Sequence, residues 1–233
     1  RDTVANSKYF KKFRQEIKNK KILSVERREK NILINISGGK TILVHLKMTG
    51  CLLFNNRDNY VHFVFYLSGG KYLAFSDIRK FGKITLLDTK TAHDSKHLEN
   101  VGPEPLNKDF TLEKLRECLN KKPNGKIKTI LLDQSVIAGI GNIYSDEILW
   151  RAGVHPERKV SALKGPEVKL IFKAIKETLK KGIDFGGDSM SDYLNIDGQP
   201  GKFQLHHQAY RRTGKKCRKP NCKSPLPPTP KSR

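Results

Sequence analysis

The hydrophobic residues change their spacing near the middle of the chain. In several runs between residues 22 and 88, at 32–36, 42–46 and 61–67, every second residue is apolar, and glycine pairs at 38–39 and 69–70 separate runs of this kind. Alternation interrupted by glycine turns is typical of antiparallel strands with one buried face. After residue 108 the apolar spacing becomes helical. The pattern therefore predicts an antiparallel β-sandwich or barrel followed by a helical domain.

These spacings divide the chain into segments. Residues 1–88 form the predicted β-sandwich, residues 89–108 form a polar linker around the Gly-Pro-Glu-Pro run at 102–105, and residues 109–205 form the helical domain. Residues 206–233 are a short basic tail that carries a pair of cysteines. The expected fold class is α+β with two domains, because strands and helices are segregated along the chain.

The helical domain contains recognisable start and stop signals. Asp109 or Thr111 can cap its first helix, and a second helix begins near Ile127. A longer amphipathic helix has Pro166 near its first turn and Gly182 as its expected end.

The stretch from Ile137 to Trp150 has two glycines, Gly139 and Gly141, directly before Asn142 and an apolar pattern of helical spacing. Asn142 is a good N-cap residue, and the glycines let another molecule approach the helix N-terminus closely. The positive end of the helix dipole favours an anion there. From this stretch alone, a phosphate site and a turn between two packed helices are equally good interpretations.

The charge of the chain separates these two interpretations. Lysine and arginine number 46 against 23 aspartates and glutamates, so the formal net charge is +23. An excess this large indicates a polyanionic partner. The sequence has neither an apolar run of membrane-spanning length nor a signal-peptide pattern, which argues against a membrane surface. Nucleic acid is therefore the expected partner.

The four cysteines fall into two groups. Cys51 and Cys118 are far apart in apolar or helical surroundings, so we expect buried, reduced thiols. Cys217 and Cys222 lie close together in the basic tail. Because the chain has an intracellular character, where disulfides are rare, this pair predicts metal ligation before a disulfide.

Residues 138–144, together with Glu147, resemble the helix–two-turn–helix signature of formamidopyrimidine-DNA glycosylases and their endonuclease VIII relatives. Further stretches resemble motifs of the same family in the same order: residues 25–30 (Val-Glu-Arg-Arg-Glu-Lys), 45–50 (His-Leu-Lys-Met-Thr-Gly), 77–82 (Asp-Ile-Arg-Lys-Phe-Gly), 102–106 (Gly-Pro-Glu-Pro-Leu) and 197–201 (Asp-Gly-Gln-Pro-Gly). The resemblance covers nearly the whole chain from Ile22 onwards, and the motif at 77–82 fits the formamidopyrimidine branch better.

The resemblance implies a bifunctional DNA glycosylase and AP lyase that removes oxidised purines, 8-oxoguanine and formamidopyrimidines, from duplex DNA. Such enzymes evert the damaged nucleotide, form a Schiff base at the sugar and cleave the strand by β- and δ-elimination. The implied partner is double-stranded DNA with oxidised bases or abasic sites. The implied protein is a bacterial, cytoplasmic, nucleoid-associated monomer.

The resemblance also implies roles for individual residues. Met48, Arg79 and Phe81 match the residues that fill the gap left by the everted nucleotide. Taken alone, they could be a core methionine, a surface charge and a sandwich residue. Lys30 matches a lysine placed near the lesion phosphate and associated with strand cleavage. The remaining matches are DNA-contact residues: Tyr60, which stands where many relatives carry a histidine, and Lys128, Asn142, Tyr210 and Arg212.

The two ends of the chain depart from the family pattern. Relatives begin with a nucleophilic proline followed by a glutamate, whereas this chain begins Arg1-Asp2-Thr3. We therefore expect that the leading segment has been truncated. Relatives bind structural Zn²⁺ through two cysteine pairs, of which only Cys217 and Cys222 are present. Arg233 falls where relatives carry a catalytic arginine that faces the lesion phosphate. A partial zinc-finger hairpin with C-terminal loss is therefore expected.

Two alternatives to the enzyme remain open from the sequence. The first is a catalytically inert relative that only recognises lesions or bent DNA, and an encoded Met-Pro-Glu start would argue against it. The second is a basic RNA-binding module, which predicts comparable affinity for single-stranded RNA and lesion duplex.

Overall fold

The computed structural model describes residues 7–190, 192–220 and 222–226 of the chain. Backbone contacts divide the chain into two compact units. The β-unit comprises residues 1–99 with 187–201, and the helical unit comprises residues 100–186 with 202–233. The domain boundaries predicted at residues 88, 108 and 205 stay predictions.

The β-unit is built from antiparallel strands in two sheets. The strands are β1 (Ile22–Arg28), β2 (Asn31–Ile36), β3 (Lys40–His45), β4 (Gly50–Phe54), β5 (Val61–Tyr66), β6 (Tyr72–Asp77) and β7 (Lys83–Asp88). The four-stranded sheet has the order β1-β2-β3-β7, and the three-stranded sheet has the order β4-β6-β5. Every neighbouring pair of strands is antiparallel, as the alternation predicts.

One apolar core joins the two sheets and helix α1 (Ser7–Ile17). Phe13 of α1 is buried, and its ring meets Phe63 of β5 edge to face, with centroids 5.7 Å apart. The buried members of this core are Phe13, Ile34, Ile36, Ile42, Val44 and Phe75. Because these residues come from both sheets, the predicted antiparallel sandwich is confirmed.

Strand β4 does not follow the alternating pattern, and the sequence analysis did not predict it. Cys51 and Leu53 are buried and Leu52 is half-buried, so neither face of the strand is fully exposed. A strand covered on both sides reads as a continuous apolar run, which periodicity cannot distinguish from a buried helix segment.

The helical unit contains the helices expected from the apolar spacing. They are α2 (Leu112–Asn120), α3 (Ile127–Leu132), α4 (Asn142–Ala152) and α5 (Gly165–Asp184). The Thr111 hydroxyl accepts a hydrogen bond from the Lys114 amide at 3.2 Å, which confirms the predicted cap of α2. None of the helices that the structure describes combines the length and the apolar composition that a bilayer span requires.

Two helix ends differ from the prediction. The N-cap of α4 is Gly141 and not Asn142, which is already the first helical residue. Helix α5 runs past Gly182 to Asp184. Gly182 is required by packing and not as a stop, because a methyl group there would overlap the Tyr144 side chain of α4.

Residues 187–201 were predicted as part of the helical domain, but the structure groups them with the β-unit. The Phe54 amide of β4 donates to the Ile196 carbonyl at 2.9 Å. The backbone of Gly198 lies against the side chain of Asn56. The prediction placed this segment with the helices because it follows them in the sequence. Its contacts are with residues far away in the chain, which spacing patterns do not reveal.

The C-terminal described segment begins a hairpin. The Gly214 amide donates to the Leu226 carbonyl at 3.0 Å, and the Leu226 amide donates to the Lys215 carbonyl at 2.9 Å. Residues 227–233 of the predicted zinc-finger region, Arg233 among them, lie outside the described residues. The finger itself therefore stays a prediction.

Candidate nucleic-acid interface

A buried carboxylate holds the loop between β6 and β7. Asp77 is the last residue of β6, and its side chain accepts hydrogen bonds from the Thr49 hydroxyl, the Gly82 amide at 2.7 Å and the Arg79 amide at 3.2 Å. Lys80 adopts a positive φ of 58° at the turn of this loop. The carboxylate thus accepts hydrogen bonds from loop amides that have no partner within a β-sheet.

The hydrogen bonds also determine the charge of Asp77. Burial by itself raises the pKa of the carboxyl, but the hydrogen bonds from the Thr49 hydroxyl and the loop amides outweigh it and hold the pKa below its ordinary value.

Gly82 must be a glycine, because a Cβ there would overlap the ring of Phe75. The loop therefore has a defined conformation.

This loop and the β3–β4 connection bring together three residues that the sequence analysis assigned to gap filling. Arg79 Nη1 lies 3.2 Å from Met48 Sδ, and the Arg79 guanidinium lies 4.8 Å from the centroid of the Phe81 ring. Met48 is 67% exposed and Phe81 is 51% exposed. We call Met48, Arg79 and Phe81 the wedge cluster. It is a contiguous, solvent-facing group of flexible, planar and aromatic side chains.

Lys30 lies in the turn between β1 and β2. Its ammonium is 3.9 Å from Glu29 Oε1. Partial burial lowers the pKa of Lys30, the Glu29 carboxylate opposes this shift, and the charge of Lys47 adds to it.

His45 begins the motif at 45–50 and had no role predicted from the sequence. Burial, together with the nearby charges of Lys47, Lys30, Lys83 and His97, lowers its pKa to about 4. The Lys47 amide donates to His45 Nδ1 at 3.0 Å. The neutral ring therefore carries its proton on Nε2, which makes that nitrogen a hydrogen-bond donor.

Tyr60 lies immediately before β5 with an exposed ring. Its amide donates to Asp58 Oδ1 at 2.8 Å, and its carbonyl accepts from the Asp77 amide at 3.1 Å. The backbone of Tyr60 is thus hydrogen-bonded to the residue that anchors the wedge-cluster loop.

In the helical unit, Gln134 organises the glycine turn that precedes α4. Its side-chain oxygen accepts from the Gly139 amide at 2.7 Å, and its amide nitrogen donates to the Ile140 carbonyl at 2.8 Å. Gly139 has a φ of 82°, which favours glycine. Asn142 is exposed, and Gly141 caps the helix without a side chain. Gln134 could not be identified from the sequence, since no spacing rule connects it to the turn.

Lys128, which was predicted to contact DNA, has a buried side chain. Its ammonium is 2.8 Å from Asp146 Oδ1, and the side chains of Lys128 and Asp146 are 3% and 1% exposed. Burial raises the pKa of Asp146 in spite of this cation. The pair lies between α3 and α4, so the described geometry does not support a direct phosphate contact by Lys128.

Glu147 of α4 fixes the segment that carries the predicted contacts near residue 210. Its buried carboxylate accepts hydrogen bonds at 2.8–3.0 Å from the amides of Gln208, Ala209 and Tyr210. Several amides that point to one carboxylate form a concave anion site, here filled from within the chain. The motif match included Glu147, but nothing in the sequence identified these partners.

Tyr210 and Arg212 follow directly from this anchor. Tyr210 is half-buried, and its ring meets His207 edge to face with centroids 5.5 Å apart. Arg212 is also half-buried, and its guanidinium donates to the Lys216 carbonyl at 3.2 Å. Arg211, with a positive φ of 54°, lies beside the Tyr210 ring and is exposed.

The cysteines have the states expected for free thiols. Cys51 and Cys118 are buried and unbridged, as predicted. Cys217 and Cys222 are half-buried, and the Lys219 amide lies 3.5 Å from Cys217 Sγ. This amide lowers the pKa of Cys217. Within residues 7–190, 192–220 and 222–226, no group of three or more potential ligands could hold a metal ion.

Known proteins resemble this chain along most of its length. The formamidopyrimidine-DNA glycosylase N-terminal domain model matches residues 1–84, and the H2TH domain model of the same glycosylases matches residues 101–193. The formamidopyrimidine-DNA glycosylase of Pelotomaculum thermopropionicum is 41% identical over 223 residues, covering 94% of this chain and 80% of the relative. That of Herpetosiphon aurantiacus is 40% identical, covering 92% and 78%.

Solved structures agree with these sequence matches. The MutM (Fpg) protein from Thermus thermophilus has a TM-score of 0.80 and 35% identity, covering 88% of this chain and 76% of that one. The Lactococcus lactis Fpg in complex with abasic-site DNA has a TM-score of 0.83 and 33% identity, covering 93% and 79%. By sequence, by domain order and by fold, the chain belongs to the formamidopyrimidine-DNA glycosylase family.

Proposed function

We propose that this protein is a DNA repair enzyme that excises oxidised purines from duplex DNA and cleaves the strand at the resulting abasic site. Family membership supports the reaction class. Related Lactococcus lactis Fpg has been solved with DNA that contains an abasic site, and a mutant of it has been solved with DNA that contains Fapy-dG. Damaged double-stranded DNA is accordingly the proposed partner.

The wedge cluster is the observation that supports this proposal most strongly. Everting a nucleotide costs a few kcal/mol because stacking and pairing are lost. An exposed phenylalanine can stack in the gap, a methionine adapts to its shape, and an arginine can bond to the unpaired opposite base. The Asp77 carboxylate holds the loop of Arg79 and Phe81 before DNA binds, so less ordering entropy is lost on binding.

The phosphate contacts are proposed on both units. In the β-unit, Lys30 and the Nε2–H of His45 are suited to a phosphate beside the lesion, and Tyr60 to a further backbone contact. In the helical unit, Asn142 and the amides of the first turn of α4 present donors at a positive helix terminus. Tyr210 and Arg212 are proposed to meet the backbone from the segment anchored by Glu147.

The proposed chemistry follows the family. An amine attacks the sugar C1′, the damaged base leaves, and the Schiff base permits β- and δ-elimination of the flanking phosphates. Lys30 is the described residue proposed to assist strand cleavage, because it matches the lysine that relatives place near the lesion phosphate. Arg233 keeps its proposed phosphate role as a sequence prediction.

The decisive assay compares duplexes that differ only in one base, 8-oxoguanine or guanine opposite cytosine, with the protein as it is encoded. We expect base release, strand cleavage and a borohydride-trapped covalent complex only with the damaged duplex. Lesion preference without base release would instead identify an inert lesion-binding relative. Equal affinity for single-stranded RNA would identify an RNA-binding module.

Replacing Phe81 by alanine tests the wedge cluster directly. Because Phe81 is exposed, Phe81→Ala should leave stability within about 0.5 kcal/mol of wild type. Affinity for lesion duplex should fall by about 1–3 kcal/mol, the range for base–aromatic stacking. Tyr66→Ala, which removes another exposed aromatic ring of the β-unit, is the matched control. Equal losses for both variants would contradict the role of Phe81.

We also propose that Cys217 and Cys222 supply two thiolate ligands to a structural Zn²⁺. The hydrogen bonds between residues 214–215 and 226 bring the chain back on itself around these thiols. Zinc would stabilise this segment without taking part in the reaction, and a closed tetrahedral site needs two further ligands. Metal analysis of wild type and Cys217→Ser tests this, and equal zinc content in both would exclude it.

The proposed setting is the bacterial cytoplasm, where the protein acts as a monomer on nucleoid DNA. The glycosylases of Pelotomaculum thermopropionicum and Herpetosiphon aurantiacus, to which the chain is similar, are bacterial proteins.

A further inference from the structure

One end of the four-stranded sheet is lined by basic residues of the strands and of the turns that connect them. His45, the last residue of β3, pairs with Asn31 of β2 on one side and with Lys83 of β7 on the other. Directly paired residues of antiparallel strands place their side chains on the same face. Asn31, His45 and Lys83 therefore form a row on one face at this end of the sheet, and Lys30 lies in the turn just before Asn31.

Two more basic residues face the same row. The basic groups around His45 are Lys47, Lys30, Lys83 and His97, and those around His97 are Lys96, Lys83 and Lys47. A positive charge on any of these groups makes a positive charge on its neighbours less favourable. Such crowding is unfavourable in the absence of an anion and becomes favourable when one binds.

Lys30 is paired with Glu29, but the other two lysines at this end of the sheet have no acidic partner in the part of the chain that the structure describes. Among the described residues, no carboxylate lies within ion-pair distance of Lys47 or Lys83. At the opposite end of the same strands, Lys40 of β3 pairs with Asp88 of β7 at 2.6 Å. The two ends therefore differ in charge balance, although both lie on the same pair of strands.

We propose that Lys83, Lys47 and His97 form a second phosphate subsite, which holds a DNA phosphodiester next to the one proposed for Lys30 and His45. The two ammonium groups supply charge, and the imidazole supplies an N–H donor. This inference rests on the proposed function and adds a contact that the motif matches do not contain.

The position of the subsite along the chain fits a strand that passes the wedge cluster. Lys47 directly precedes Met48, and Lys83 follows Phe81 by two residues. A strand whose gap is filled by the wedge cluster must carry its phosphates past these neighbours. The second subsite would thus hold the backbone while the gap is filled, and it would contribute equally to binding of any base sequence.

The salt dependence of binding tests this proposal. Each neutralised phosphate contributes about 0.9 to the slope of log affinity against log salt concentration. With duplex that contains a tetrahydrofuran abasic-site analogue, Lys83→Gln should reduce the slope by about 0.9. Lys83→Arg should keep the wild-type slope, because it retains the charge.

Lys90 provides the matched control. It is exposed and follows the opposite end of β7, beyond Asp88, so Lys90→Gln removes the same charge from the same unit. The slope of Lys90→Gln should equal that of wild type. If Lys83→Gln also has the wild-type slope, the second subsite is wrong, while steep salt dependence and lesion preference of the wild type leave the proposed function intact.

Lys47→Gln gives an independent measurement if Lys83→Gln does not fold, as judged by its thermal unfolding. It should lower the slope by the same amount, and an unchanged slope would overturn the subsite. A wild type that shows no preference for lesion duplex would overturn the proposed function and this inference with it.

Discussion

Asp77 accepts hydrogen bonds from the Thr49 hydroxyl and from amides of the loop that carries Arg79 and Phe81. Asp77→Asn replaces one acceptor oxygen by a donor that faces loop amides. We expect a loss of about 1–3 kcal/mol in the free energy of unfolding, because buried donors lose their partners. Lesion affinity should also fall, since the loop is no longer held. Urea unfolding and duplex binding measure both effects.

Asp94→Asn, an exposed acid of the same unit, is the control for this prediction and should be neutral. The effect of Asp77 should also depend on pH. Because the pKa of Asp77 in the folded state lies below its ordinary value of 3.8, its contribution is present above that value. The stability difference between wild type and Asp77→Asn should therefore shrink as the pH falls through the folded pKa. A difference that grows in acid would contradict this account.

Lys128, for which the motif match implies a phosphate contact, has its ammonium buried against Asp146. Lys128→Ala should cost about 3–5 kcal/mol of stability, because it leaves Asp146 buried without its cation. Lys126→Ala, two residues away, removes an exposed pair with Glu157 and should cost at most about 1 kcal/mol. Thermal unfolding separates these outcomes. A stable Lys128→Ala protein with a reduced salt slope would restore the phosphate role.

At the scale of elements, Glu147 couples helix α4 to the segment at 208–210. Glu147→Gln should cost about 1.5–3 kcal/mol, because hydrogen bonds to a charged acceptor are replaced by weaker or unfavourable ones. Hydrogen exchange at the amides of 208–210 should accelerate more than exchange within α2. Glu177→Gln, which removes partly exposed ion pairs on α5, is the control and should leave these amides protected. Unchanged exchange in Glu147→Gln would refute the coupling.

At the scale of the whole molecule, the net charge of +23 should dominate affinity for DNA. A protein that makes 6–10 phosphate contacts loses about 10³–10⁵ in affinity between roughly 50 and 200 mM salt. We expect a loss of this order for undamaged and damaged duplex alike, because phosphate contacts do not distinguish bases. Titrations at several salt concentrations measure it. A flat response would show that the basic surface does not bind DNA.

Local sequence patterns determined the elements and the class of partner. Alternation and helical spacing report the burial of one face of an element, so they identified most strands and helices. They failed at β4, where both faces are covered, and at the ends of α4 and α5. The excess of lysine and arginine indicated a polyanion, and the ordered motifs indicated the family. The wedge cluster was predicted because its members lie in those motifs.

The tertiary structure decided which side chains face solvent and which are paired inside. Lys128 and Lys30 look alike in the sequence, yet one is buried against Asp146 and the other lies in a turn. The partners of Asp77, Gln134 and Glu147 could not be read from spacing, because a hydrogen bond across a fold depends on how elements pack. The row that contains His45 and Lys83 arises in the same way, from the register of strands that are distant along the chain.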